Sequence, residues 1–106
     1  MGFFDIFKTP DINEGVKAFN ESKNAFLIDV RSEAEYDTGH VPGSINVPGE
    51  KIGRISDVVS DEDAKIFVYC LSGGRSSRAV SAIKHMGYTD VTNIGGIAAY
   101  TGKVEK

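Results

Sequence analysis

Lys65-Ile-Phe-Val-Tyr-Cys70, followed by Leu71-Ser-Gly-Gly-Arg75, is the stretch from which the rest of the chain can be read. Its first half is a short apolar run of β-branched and aromatic side chains, the pattern of a strand buried on both faces. Its second half is a glycine-bearing turn. From Ser76 to Met86 the residues Ala79, Val80, Ala82, Ile83 and Met86 recur at helical spacing, and Gly87 is a natural stop. A strand that feeds a tight turn and then a helix is the building unit of an α/β sheet.

Working outward, Phe26–Val30 is a second run of the buried-strand type, and Val91–Ile94 is a third. Thr9, Pro10 and Asp11 read as N-cap, first helical proline and acidic first turn, with Ile12, Val16 and Phe19 on the covered face. Ser32 and Glu35 have capping-box spacing for a short helix. A turn-rich loop, Gly39–Ser44, leads to Ile45–Val47 before Pro48. Ile52, Ile55, Val58 and Val59 suggest another amphipathic helix, weakened by Gly53, and Gly95-Gly96 opens a last turn or helix through Tyr100. Phe3, Phe4 and Phe7 are expected as an edge strand on the core rather than a membrane anchor, being too few to make a membrane face. Strands and helices alternate, which gives an α/β layout with a mainly parallel sheet.

The 106 residues make one domain, 1–106, with room for a single core. Ile and Val number ten each against two Leu, a bias that suits strands more than a helical bundle. A net charge of −3 without single-sign blocks makes neither nucleic acid nor an anionic membrane the expected partner. The N-terminal residues lack a basic region before an apolar one, and Ile6 stands where a myristoylation pattern needs Ser or Thr. A soluble, cytoplasmic protein is expected. Its one cysteine can form no internal disulfide and no multi-cysteine zinc site; the loop chemistry read below needs neither metal nor organic cofactor.

That cysteine, Cys70, sits at a strand-to-helix junction, where the free N–H groups of the first helical turn and the helix dipole favour an anion. A free thiol has a pKa of roughly 8.5, and such a location lowers it. No proline interrupts Leu71, Ser72, Gly73, Gly74, Arg75 and Ser76, so every N–H is available to the cradle. Arg75 adds a forked cation, and Ser72, Ser76 and Ser77 add hydroxyls, Ser76 being also placed to cap the helix. Cysteine phosphatases carry five residues between Cys and Arg, whereas here the interval is four. The shorter cradle is too small for a phosphate but leaves room for one sulfur atom on the thiol. Phosphatase or arsenate reductase chemistry is therefore a distant alternative.

With these elements in this order, the chain resembles single-domain rhodaneses, which are sulfurtransferases. The resemblance rests on Leu27-Ile-Asp-Val-Arg31, Glu35-Tyr36, Gly39-His-Val-Pro-Gly-Ser-Ile-Asn-Val-Pro48, Cys70-Leu-Ser-Gly-Gly-Arg-Ser76 and Gly95-Gly96, and it spans Thr9 to about Tyr100. It implies a five-stranded, mainly parallel sheet with helices on both faces and the thiol at the base of the loop Cys70–Arg75. It also implies a double displacement through a Cys70 persulfide. The donor would be a small sulfur anion (thiosulfate, polysulfide or persulfide), and the acceptor cyanide, a thiol or a sulfur-accepting protein. Ile97 and Tyr100 stand where many relatives have tryptophan, and Leu71 occupies a position that is basic in some. The alternative within the same fold is a binding or sulfur-carrier module that acts with a partner protein and does not turn over.

Asp29 and Arg31 are expected to pair with each other or to brace the cysteine loop, since buried charges need partners. His40, between Gly39 and Val41-Pro42, is expected to fix its loop by a hydrogen bond rather than to act as a base. Glu35 reads first as a capping residue and second as part of the site, and His85 as a solvated helix end. Arg78, one turn beyond Arg75, either widens the positive field at the mouth or faces water.

Overall fold

A computed structural model describes residues 10–106. Four strands, β1 (Phe26–Asp29), β2 (Ser44–Asn46), β3 (Lys65–Cys70) and β4 (Asp90–Gly96), form one sheet in the order β2-β1-β3-β4. Every pairing is parallel. The expectation was five strands, and the described residues supply four. The stretch Phe3–Phe7, expected as an edge strand, lies outside the described residues.

Alternation along the strands sorts side chains to two cores. Ile66, Val68 and Cys70 of β3 join Ile28, Val30, Ile55, Ala79 and Ile83 on one face. Phe67 and Tyr69 point the other way and join Ile12, Val16, Leu27, Val41 and Ile94. Helix α1 (Ile12–Glu21) therefore covers one face, and the helix that follows β3 covers the other. Continuous apolar runs are what two covered faces require.

Four elements differ from their expected form. Gly95 and Gly96, expected to open the last turn, belong to β4, and a 3₁₀ turn, Ile97–Ala99, follows them. Asp11, not Thr9, is the N-cap of α1, because its carboxylate accepts from the Asn13 N–H at 3.0 Å. The segment expected as an amphipathic helix is a 3₁₀ stretch, Gly49–Arg54, followed by a single α-turn, α3 (Ile55–Val58). Lys51 there has non-helical dihedrals, φ −112° and ψ 20°, and Ile55 and Val59 still reach the core. Finally, the helix after the cysteine, α4 (Gly74–His85), begins at Gly74 instead of Ser76. Gly73 is its N-cap at φ +106°, a left-handed conformation that glycine adopts without a Cβ penalty, so the chain turns into the helix sooner. The capping box opens α2 (Glu33–Thr38) as read from the sequence, with Ser32 and Glu35 satisfying each other's backbone.

Candidate active site

Cys70 is the last residue of β3 and is 1 % exposed. The Gly73 N–H donates to its sulfur at 3.0 Å, and the Ser76 Oγ lies 3.4 Å from it. Burial alone pushes the thiol up. The Ser76 hydroxyl and the N–H groups of Ser76, Gly73 and Ser72 outweigh that and hold it below its ordinary value. The loop amides thus turn towards the sulfur, as the junction implies.

What holds the loop lies behind it. Cys70 pairs with Gly96 across β3 and β4, after a register shift at Val68/Tyr69 that leaves Ile94 as an extra residue. A Cβ on Gly96 would fall 2.1 Å from the Leu71 carbonyl oxygen, so only glycine lets the two backbones meet. The Ala98 N–H then donates to that carbonyl at 3.1 Å.

Arg75 is in the first turn of α4, and its guanidinium grips Glu35 with both arms, at 2.7 and 3.0 Å. Glu35 also accepts from the Ser32 backbone N–H and hydroxyl. The Arg75 fork, followed by the Ser32 N–H, holds its carboxyl at about 2 against the usual 4.5. Glu35 is therefore both cap and site neighbour. Arg78 is exposed and lines a cleft of about 480 Å³ together with Arg75, Ser32, Glu50 and Ile52. A second cleft of about 870 Å³ lies beside Leu71, Ser72 and Gly73. Leu71 is 43 % exposed at its edge.

The remaining expected residues stand apart from the sulfur. Asp29 and Arg31 pair with each other, Arg31 Nη2 to Asp29 Oδ2 at 2.8 Å, and both are buried. The same Nη2 donates to the Gly39 carbonyl at 2.7 Å, so the pair braces the 39–44 loop, not the cysteine loop. His40 uses Nδ1 to hold the Tyr36 carbonyl at 3.0 Å and stacks on the Tyr36 ring with centroids 3.7 Å apart. Its backbone bridges Glu105. The loop-fixing role is the one its contacts describe.

One residue escaped the sequence reading. Asn93 Oδ1 accepts from Ser76 Oγ at 2.7 Å and from the Gly95 N–H at 2.9 Å, while its Nδ2 donates to the Gly73 carbonyl at 3.3 Å. The signal was available: an asparagine inside an apolar strand, two residues before a glycine, is an Asx-turn in a place where strands avoid Asn.

The profile of the Rhodanese-like domain matches residues 13–103. The chain belongs to the rhodanese-like family. It is 41 % identical over 71 residues to the thiosulfate sulfurtransferase PspE of Escherichia coli, covering 66 % of this chain and 68 % of that protein. It is 33 % identical over 87 residues to the putative sulfur carrier protein YrkF of Bacillus subtilis, covering 81 % of this chain and 45 % of that one. The chain thus spans about two thirds of the first relative and less than half of the second. A solved rhodanese with anions from E. coli matches with a TM-score of 0.73 at 36 % identity, over 77 % of this chain and 98 % of that one. Among the described residues of this rhodanese-like chain, no helix is long and apolar enough to cross a membrane.

Proposed function

We propose that residues 1–106 act as one sulfurtransferase domain with Cys70 as nucleophile and sulfur carrier. The observation that carries this is the sulfur of Cys70 receiving the Gly73 N–H at 3.0 Å inside a loop whose donors lower the thiol. The thiolate attacks the outer sulfur of thiosulfate, forming a new S–S bond. The bond from that sulfur to the sulfonyl sulfur breaks, and sulfite leaves with the electron pair. The persulfide that remains is an anion, and the same N–H groups stabilise it. Cyanide or a thiol then takes the outer sulfur and returns the thiolate. No metal or organic cofactor enters this cycle, and a reducing compartment such as the cytoplasm keeps the lone thiol free.

A second reading has support of its own. Arg75 is already neutralised by Glu35, and Leu71 offers an apolar lip where a further cation would help hold thiosulfate. These features favour a persulfide delivered by, or passed to, a partner protein, and the resemblance to a putative sulfur carrier agrees.

Mass spectrometry after treatment with thiosulfate or polysulfide tests the proposal. One extra sulfur atom on Cys70 is expected, removable by cyanide with thiocyanate appearing, and absent in Cys70→Ser. A thiol that stays unmodified with every donor would overturn it.

A further inference from the structure

The Ser76 hydroxyl has one proton and faces more acceptors than it can serve. Asn93 Oδ1 is at 2.7 Å, the Gly73 carbonyl at 3.0 Å and the Gly95 carbonyl at 3.5 Å, with the Cys70 sulfur at 3.4 Å. The orientation of the Asn93 amide is fixed by its surroundings. The Gly95 N–H can only donate, so it must meet Oδ1, and the Gly73 carbonyl can only accept, so it must meet Nδ2.

We propose that Asn93 is a positioning residue for Cys70: its side-chain amide sets the direction of the Ser76 hydroxyl, and so decides whether the sulfur meets a hydroxyl oxygen or a hydroxyl proton. This rests on the reading of Cys70 as the nucleophile. With the thiol protonated, S–H donates to Ser76 Oγ, and Ser76 donates onward to Asn93 Oδ1. When the proton leaves, the Ser76 hydroxyl swings to the sulfur. Asn93 Oδ1 is not stranded, because the Gly95 N–H still donates to it at 2.9 Å. Each state keeps its polar atoms satisfied, which makes the exchange inexpensive. The second arm of Asn93 holds Gly73, the residue whose own N–H points at the sulfur. One side chain thereby tunes both donors.

The charged surroundings act alongside this device, and Arg75 and the thiolate favour each other directly. Arg75, from α4, is the cation that shares the loop with the thiol, and it is bound to Glu35 of α2. Asp29 and Arg31, from the end of β1, pair against Tyr69 on the opposite face of the sheet. On β4, Asp90 is at the far end of the strand and pairs with Lys65.

The test is the pH dependence of Cys70 alkylation by iodoacetamide in the wild type, Asn93→Asp and Asn93→Ala. The carboxylate of Asn93→Asp holds the Ser76 proton more firmly, so its midpoint is expected to rise by about one unit, roughly tenfold less thiolate at a given pH. In Asn93→Ala the Gly73 carbonyl loses an amide donor and captures the hydroxyl instead, giving a smaller rise. Adding Ser76→Ala to Asn93→Asp should change little, since the hydroxyl is already turned away. Unchanged midpoints in the folded single variants, or fully additive effects of Asn93→Asp and Ser76→Ala, would overturn the proposal. If Asn93→Asp does not fold, Asn93→Ala decides alone. Alkylation needs no sulfur transfer, so the outcomes separate. A shifted midpoint in a protein that forms no persulfide sinks only the sulfurtransferase reading, and an unshifted one in a protein that does sinks only the role of Asn93.

Discussion

Two arginine–carboxylate pairs stand near the C-terminal ends of the strands, and they are built for opposite purposes. Asp29–Arg31 is buried, its side chains 0 % and 5 % exposed. Glu35–Arg75 has similar bidentate geometry but side chains 32 % and 39 % exposed. A buried pair holds because either partner alone would be an uncompensated charge in the interior. A half-exposed pair can open, since water accepts whichever partner is released. The first fixes the 39–44 loop; under the proposed function, the second would let Arg75 exchange Glu35 for an incoming anion.

The largest effect should come from breaking the buried pair. Arg31→Ala strands the Asp29 carboxylate and removes the donor to the Gly39 carbonyl, so a loss of about 3–5 kcal/mol is expected in urea unfolding. A loss as small as that of a surface mutation would erase the distinction. Arg75→Ala should cost under about 1 kcal/mol of stability. Persulfide formation from thiosulfate should nevertheless fall by about tenfold or more, the scale of one hydrogen bond to a charged group. Were Arg75→Ala instead as destabilising as Arg31→Ala, with transfer intact, Arg75 would be a strut.

The smallest effect is in acid. Glu35 has a folded-state pKa of about 2, below its ordinary 4.5, so the pair stabilises the fold above about pH 4.5. That contribution is lost as pH falls from there through about 2. Unfolding measured across that window should show a shallow decline, flattened in Glu35→Gln. An unflattened decline in that variant would assign it to other carboxylates.

The contrast also marks what the sequence can carry. Asp29–Arg31 are two residues apart and the Ser32–Glu35 box three, so local spacing exposes both. Glu35–Arg75 joins residues forty apart, and no periodicity encodes it. The strand-loop-helix around Cys70 was legible because burial on two faces leaves a continuous apolar run. The start of α4 was not, because it depends on the backbone angle at Gly73, and a glycine permits several. The 3₁₀ form of Gly49–Arg54 was hidden for a similar reason: Ile52 and Ile55 satisfy either helical period over so short a span. For Asn93 the local bond to the Gly95 N–H was legible, but its partners on the cysteine loop and α4 are distant in sequence, so its link to Cys70 was not.

The contact between Gly96 and Leu71 gives position 96 an importance out of proportion to its chemistry. A methyl group there would lift the rim of the cradle from beneath and tilt the amides that face the Cys70 sulfur. A residue without a side chain thus sets the outline of the cysteine loop, through shape alone.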